Sequence, residues 1–501
     1  MRKNRNDDKA NILGKAFKGG IWLYIGNLIS MALSYLYWLL ISKITGSPGL
    51  VGEASTIIGV STIFSTIYLL GLPRGVQRFL GMYTNDRHLF SKYFWTGLIM
   101  VSFLGLVTVV ALYLLNDVLS KFLPFLADKN VSMLIAALAL LIGLKNYVFS
   151  YFISKVKTNY STLITFVSGI AKVMTGVALV YIGLKLLGAV IGYVVFYILL
   201  LILSVSFLKN DIYGLRYLEV KVIVDEIKSG MAFYVPSLFT TMGNWLGVIS
   251  LYGIVSSVSA GAYYIAYNLA TLVLMIPTFV SNVALPLLSG SPYGRERETF
   301  RIVKLSYAAS VPLMVTLAIY SEYLLNLLDK EFTRAVKETI ILSSNVPLIA
   351  VTTAVVSLVY SYGLYRYVIF INTTINASRT FLYPLLVHQF GSLGAALSFT
   401  MGSILGFFSS LLIIKKIKLI FKWKILFLLI IIPLILGMIF YIFKFPFLIG
   451  SVLLPALSIM IYGRSRLISK EDLNEIFVSL APRKLINNRL TSLAAEMLFG
   501  D

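Results

Sequence analysis

Residues Ser229 to Gly290 read SGMAFYVPSLFTTMGNWLGVISLYGIVSSVSAGAYYIAYNLATLVLMIPTFVSNVALPLLSG. Two apolar runs, each long enough to cross a hydrocarbon core of about 30 Å, flank a small-residue turn at Val255–Gly261. The first run carries Pro236, Asn244 and Trp245; the second carries Asn268, Pro277, Asn282 and Pro286. The stretch resembles the start of the same chain. Gly20-Ile21-Trp22-Leu23-Tyr24-Ile25 returns as Gly230-Met231-Ala232-Phe233-Tyr234-Val235, Gly52 has a counterpart in Gly261, and Leu72-Pro73 has one in Leu285-Pro286. A separation of about 210 residues says that the chain is built twice. Internal repetition in a polytopic membrane chain points to transport, with substrate sites tending to lie between the repeats.

Working outward, 58% of the 501 residues are hydrophobic and only 13% charged, which excludes a soluble globular protein and requires many membrane spans. The chain has no Cys, so disulfides, thiolate metal sites and cysteine nucleophiles are excluded and the redox compartment is left open. His88 and His388, the only two histidines, stand far apart, and neither a zinc site nor a His-based catalytic centre is expected. The first twenty residues are polar and basic without a small-residue cleavage motif, so no cleavable signal peptide is expected.

A net charge of +22 would suit nucleic-acid binding, but its distribution argues for topology. Apolar runs predict fourteen spans at roughly 21–42, 50–72, 93–115, 131–153, 161–183, 188–208, 229–253, 262–288, 305–327, 339–362, 367–388, 391–414, 425–443 and 446–462. With the N-terminus inside, most of the 43 Lys and Arg fall in inner segments, so both termini are expected in the cytoplasm. The predicted fold class is an all-α polytopic membrane protein with two pseudo-symmetric six-helix lobes, 21–208 and 229–414. Spans 13 and 14 (425–462) are an addition. A basic arm (1–20) precedes the lobes and a cytoplasmic amphipathic tail (463–501) ends the chain.

The inner loop after span 2 reads RGVQRFLGMYTNDRHLFSK, in which Val76, Phe79, Leu80 and Tyr83 recur at helical spacing and predict a short interfacial helix. Outer loops are short, and no paired carboxylates stand at workable spacing, which weighs against an enzyme. In the tail, Ser469-Lys470-Glu471-Asp472 resembles a capping box opening a helix with Leu473, Ile476, Phe477 and Leu480 on one face. A second pair of segments supports the duplication: Gly188-Ala189-Val190-Ile191-Gly192 opens span 6 and Gly391-Ser392-Leu393-Gly394-Ala395-Ala396 opens span 12. Glycines four apart let helices approach closely.

The stretch Tyr264 to Ser289, with Tyr267, Ala270, Ile276-Pro277 and Leu285-Pro286-Leu287-Leu288-Ser289, resembles the polysaccharide-transporter (Wzx-type) branch of the multidrug/oligosaccharidyl-lipid/polysaccharide (MOP) flippase superfamily. So do Gly71-Leu72-Pro73-Arg74 with Phe79, and Gly391–Ala396. The resemblance runs from about Ala16 to Ile414. It implies a MATE/MOP-like fold, two six-helix lobes around a central cavity, and movement of a lipid-linked oligosaccharide from the inner to the outer leaflet of the cell membrane.

Three cations fall within spans: Lys145, Lys172 and Arg379. Lys172 lies roughly 16 Å into span 5 and Arg379 about 18 Å into span 11, both near the midplane, whereas Lys145 falls in the inner third of span 4. Aligning Gly188 with Gly394 puts Lys172 one residue from the equivalent of Arg379. Glu53 and Glu322 are the acids read in or beside spans, and both stand near outer ends. Cations at the membrane centre persist where they face a wet cavity or an anionic ligand. A diphosphate-linked headgroup supplies such a counter-charge, and Arg grips it bidentately. The expected substrate-binding cations are therefore Lys172, Arg379 and Lys145. Asn27, Asn244, Trp245, Asn268, Asn282, Asn345, Asn372 and Asn376 are candidate sugar contacts, with helix packing the competing role for each. Expected partners are a lipid-linked oligosaccharide and membrane lipids, with the coupling ion (H+ or Na+) left open, no cofactor and a monomeric chain. A cation antiporter on the same fold would favour acids at the midplane, and a membrane-embedded glycosyltransferase or polymerase would favour a large outer loop.

Overall fold

Hydrocarbon offers backbone N–H and C=O groups no water to pair with, so spanning segments must satisfy them internally. The computed structural model describes residues 2–84, 86–117, 120, 128–208, 219–290, 294–417, 419 and 421–469, and among these the chain is helical throughout with no strand. Helix α1 (Arg2–Thr45) takes up both the basic arm and the first crossing in one continuous rod. Ser47 caps α2 (Pro48–Leu69): its hydroxyl accepts the Gly49 N–H at 3.1 Å, and Pro48 sits in the first turn, where no N–H is needed. Leu70 and Gly71 turn the chain with φ of 47° and 78° into α3 (Leu72–Met82). Here the expected amphipathic helix forms. Val76 and Leu80 are buried, while Phe79 and Tyr83 stack on Tyr93 at 4.6 and 5.3 Å between ring centroids.

Helices α4 (Arg87–Leu114) and α5 (Lys129–Ser154) are each capped by an aspartate, Asp86 and Asp128, whose carboxylate accepts first-turn N–H groups. Next, α6 (Thr158–Leu179) and α7 (Lys185–Leu208) meet at a π-helical turn, Val180–Leu184, which Gly183 breaks with φ 99°. Helix α8 (Val220–Ile254) begins nine residues before the expected crossing at 229, so its first turns are charged. It is followed by α9 (Ser257–Gly290) and α10 (Arg295–Leu328). The tenth expected span is divided into α11 (Val336–Ser343) and α12 (Val346–Ser361), a break imposed by Pro347 in the first turn of α12. Helix α13 (Tyr365–Ile417) carries two crossings separated by Gly391, at φ 57° and ψ −132°. The last two are α14 (Trp423–Ile442) and α15 (Phe447–Arg464).

Eleven helical stretches among the described residues are long and apolar enough to cross a membrane. Two of them, Thr158–Leu208 and Tyr365–Ile417, are double length and broken at a glycine, and α8 adds the run from Ser229, so the crossings agree with the about fourteen expected. The amphipathic tail from Lys470 lies outside the described residues.

The chain divides into two compact units. The first comprises Met1–Ile265, Leu328–Phe332 and Asn376–Phe399; the second comprises Ala266–Leu327, Thr333–Ile375 and Thr400–Asp501. In the first unit, α6 packs on both α7 and α1, and α8 packs on α2 and α3. The repeat is physically visible there. Ser256 stands where Ser47 does one repeat earlier, and its hydroxyl accepts the Ser259 N–H at 3.2 Å at the start of α9. A Cβ on Gly52 would overlap the Ser257 carbonyl oxygen, and one on Gly261 would overlap that of Pro48. Gly261 and Ser257 each lie 209 residues after Gly52 and Pro48, so the two repeat counterparts cross against one another reciprocally. The match of Leu72-Pro73 with Leu285-Pro286 is different: the first opens α3 after a break, whereas α9 runs unbroken through the second, having no glycine at the position of Gly71.

Candidate functional site

In the second unit two of the candidates bond to helix carbonyls. Asn345, fully buried, donates its amide to the Ile341 and Leu342 carbonyls at 2.9 and 3.1 Å and to Thr400 Oγ1 at 2.9 Å. It thereby satisfies carbonyls left open by the break before α12. Asn372 donates to Val368 O at 3.0 Å, Asn268 is half-buried and Asn282 is exposed.

The first unit holds a cavity of about 570 Å³. Each of α1, α2, α3, α5, α6, α7 and α8 contributes to its wall. Among the described residues two charged ones line it, Arg74 from α3 and Lys145 from α5, and no Asp or Glu does. Hydroxyls dominate the rest of the polar surface: Ser30, Thr62, Thr66, Ser161, Thr165 and Thr241 belong to it. Asn27, one of the expected sugar contacts, lines the cavity and is exposed there.

Local packing explains why these side chains point inward. Ser150 donates to the Pro73 carbonyl at 2.9 Å, pinning α3 to α5, and Arg74 donates to Gln77 Oε1 at 3.1 Å. Lys145 donates to Asn146 Oδ1 at 3.4 Å and lies 4.9 Å from the Phe149 ring centre. Neither Arg74 nor Lys145 has a carboxylate partner among the described residues. On the facing wall Thr66 and Thr241 share a hydrogen bond of 3.2 Å that joins α2 to α8. Thr162 donates to Trp22 O at 2.6 Å and fills the space opposite Gly26, which draws α6 onto α1.

Lys172 and Arg379 are also in the first unit, but neither lines this cavity. Lys172 is 3% exposed; it donates to Ser34 Oγ at 3.0 Å and lies 5.1, 4.5 and 5.6 Å from the ring centres of Tyr37, Tyr193 and Phe196. Three aromatic faces supply negative quadrupole charge in place of a carboxylate. Arg379, 6% exposed, stacks its guanidinium 3.6 Å from the Phe399 ring centre and donates to the Phe399 carbonyl at 3.2 Å. Its neighbour Asn376 donates to Thr240 Oγ1 at 3.3 Å, and Tyr383 donates to Gly243 O at 2.9 Å, seating this part of α13 on α8. Trp245 stacks on Tyr264 at 6.0 Å and packs over Gly59; Asn244 beside it is half-buried. Among the described residues no cluster of His, Asp or Glu is placed to hold a metal ion.

Sequence alone did not single out Arg74, Gln77 and Asn146, because the first two fall past span 2 in a segment read as an interfacial helix and Asn146 showed no partner. The signal for Arg74 was its place in Gly71-Leu72-Pro73-Arg74.

Fold and cavity together define a polytopic helical membrane protein whose first unit holds a cavity lined by two cations. Residues 16–292, more than half of the chain, match the model of the polysaccharide biosynthesis protein family, and the chain belongs to that family. No curated protein sequence matches it. Its fold is that of the MOP superfamily. A solved structure of the lipid II flippase MurJ in an inward closed conformation superposes with a TM-score of 0.74 at 17% identity, covering 89% of this chain and 100% of that one. An inward-facing multidrug resistance MATE family transporter of the MOP superfamily gives 0.60 at 12% identity over 79% and 98%. A Vibrio cholerae MATE transporter gives 0.58 at 14% over 81% and 97%.

Proposed function

We propose that this protein is a flippase that carries a lipid-linked, diphosphate-bearing oligosaccharide or polysaccharide repeat unit from the inner to the outer leaflet by alternating access. The observation that carries the reading is the cavity: two cations, no acid, and walls rich in hydroxyls. Phosphate oxygens need Arg and Lys, sugar rings need many weak hydrogen-bonding partners, and the cavity offers both. Arg74 grips the diphosphate as a planar fork and Lys145 as a point charge. Lys172 and Arg379 serve the same headgroup further along the path, as cations it meets when the helices around them rearrange. A multidrug or cation antiporter is less favoured, because a cationic substrate in this cavity would meet Arg74 and Lys145 with no acid to balance them. Catalysis is likewise less favoured, since glycosyl transfer calls for carboxylates that the lining lacks.

In this reading both termini are cytoplasmic and the protein is a monomer in the plasma membrane. The two repeats, 21–208 and 229–414, act as the two moving lobes. The test is genetic and biochemical. Deleting the gene should make a lipid-linked glycan accumulate on the inner leaflet, and the wild-type chain should clear it. The double variant Arg74→Gln/Lys145→Gln, at matched protein level, should not. Full clearance by the double variant would overturn the reading.

A further inference from the structure

Another ionisable group in the first unit has no part in the cavity lining. Glu226 stands on the second turn of α8, ahead of the apolar run that starts at Ser229. It is fully buried, and neither carboxyl oxygen has a hydrogen-bond partner. Its surroundings are built closely around it. A Cβ on Gly97 of α4 would overlap both Glu226 Oε2 and Tyr147 Oη, and one on Gly75 of α3 would overlap the Glu226 carbonyl oxygen. One turn on, Gly71 and Gly230 press backbone against backbone. The bare Cα of Gly97 on α4 thus leaves room for the carboxyl, while the glycines of α3 and α8 bring backbone against backbone at Glu226 and one turn beyond it.

Among the described residues none nearby supplies a counter-charge. From α5, Tyr147 gives its proton to the Phe94 and Tyr93 carbonyls at 3.1 and 3.3 Å. From α4, Lys92 is paired with Glu219, and Tyr93 is stacked between Phe79 and Tyr83. From α3, Arg74 is on Gln77, and Arg78 donates to Ser229 Oγ at 3.4 Å. On α8 itself Asp225 is a like charge and Lys228 is exposed. The one charged residue of α2, Glu53, lies at its far end. Burial alone pushes the Glu226 carboxyl well above the usual carboxylate range.

We propose that Glu226 is a proton-binding site, occupied while α3 and α4 close against α8 and emptied only when α8 parts from them. An ionised, unpaired carboxylate cannot remain in that slot, so loss of the proton to water and opening of the contact are one event. The only bond made or broken is the carboxyl O–H. The sign follows: a group that holds its proton more tightly in the closed form favours that form at low pH, and the closed form weakens as pH rises through the raised value. Opening at the α3 end of the cavity would therefore be coupled to proton release, whatever headgroup the cavity takes.

Because the chain has no cysteine, spin labels can be placed without background. In the full-length protein in lipid nanodiscs, Met82→Cys on α3 and Lys228→Cys on α8 are both exposed positions for a distance measurement. Between about pH 5 and pH 9, a longer-distance population should grow several-fold in the otherwise wild-type chain. In Glu226→Gln, a neutral isostere that keeps the slot filled, the short distance should persist at every pH. Infrared difference spectra should show a protonated-carboxyl band at neutral pH that Glu226→Gln removes. The proposal is overturned if Glu226→Gln responds to pH as the parent does, if the parent shows no response, or if that band is unchanged by the substitution.

Discussion

Arg74 and Lys145 differ in what surrounds them, and the difference sets what their loss should do. Among the described residues neither has a carboxylate partner, so removing its charge leaves no orphaned acid behind. Arg74→Gln and Lys145→Gln are therefore expected to fold normally. A charge-assisted hydrogen bond to phosphate is worth about 1.5–3 kcal/mol, so each should weaken transport tenfold or more, measured as glycan reaching the outer surface. Arg74→Lys should restore part of the loss. Lys172 makes a sharper case. Its aromatic cage and Ser34 hold the ammonium out of water, so Lys172→Met, apolar and of similar length, should leave the melting temperature near that of the wild type. Reduced transport by that folded variant would assign Lys172 to the substrate path; wild-type transport would confine it to packing. Sequence depth located Lys172 but not its surroundings, because the rings of Tyr37 and Tyr193 come from other helices, α1 and α7. Arg74 was missed for a different reason: its segment reads as a helix at the interface, and only the fold shows that helix lining the cavity.

At the scale of helices, glycine decides where rods can touch. Span number and the α3 amphipathic helix were legible from apolar runs and from Val76, Phe79 and Leu80, since both depend on local periodicity. What periodicity could not supply is which glycines carry crossings. Gly71, Gly75 and Gly230 sit backbone to backbone between α3 and α8, and Gly71 also needs φ 78°. Gly75→Ala should destabilise the folded protein by about 1–3 kcal/mol, because the added carbon meets a carbonyl oxygen that cannot swing aside. Gly81→Ala, on the same helix with nothing within 4 Å, should be neutral or slightly stabilising through helix propensity. Thermal unfolding of the purified protein separates the two; equal melting points would contradict this account of the crossing.

For the whole molecule, charge bias predicts orientation, and the cysteine-free background allows a direct check. An impermeant maleimide should label Ile44→Cys and Phe443→Cys from outside intact cells. Asn159→Cys and Leu364→Cys, at exposed turns on the opposite side by that topology, should react only after permeabilisation. The reverse pattern would invert the molecule and with it the direction of entry to the cavity. The reciprocal crossing of Gly52 with Gly261 carries a different consequence when read as an interface. Each residue meets the environment that its own counterpart provides, which is the rule of an isologous contact in a two-fold dimer. Cutting the chain between Leu208 and Glu219 and expressing the halves separately should therefore yield subunits that find each other, and Gly52→Leu in one half should prevent it. In a true homodimer of half-length chains one glycine codon would write both sides of that seam, and a single mutation would strike twice. In one continuous chain the two sides are written by separate codons, so glycine has to be specified twice for the seam to close.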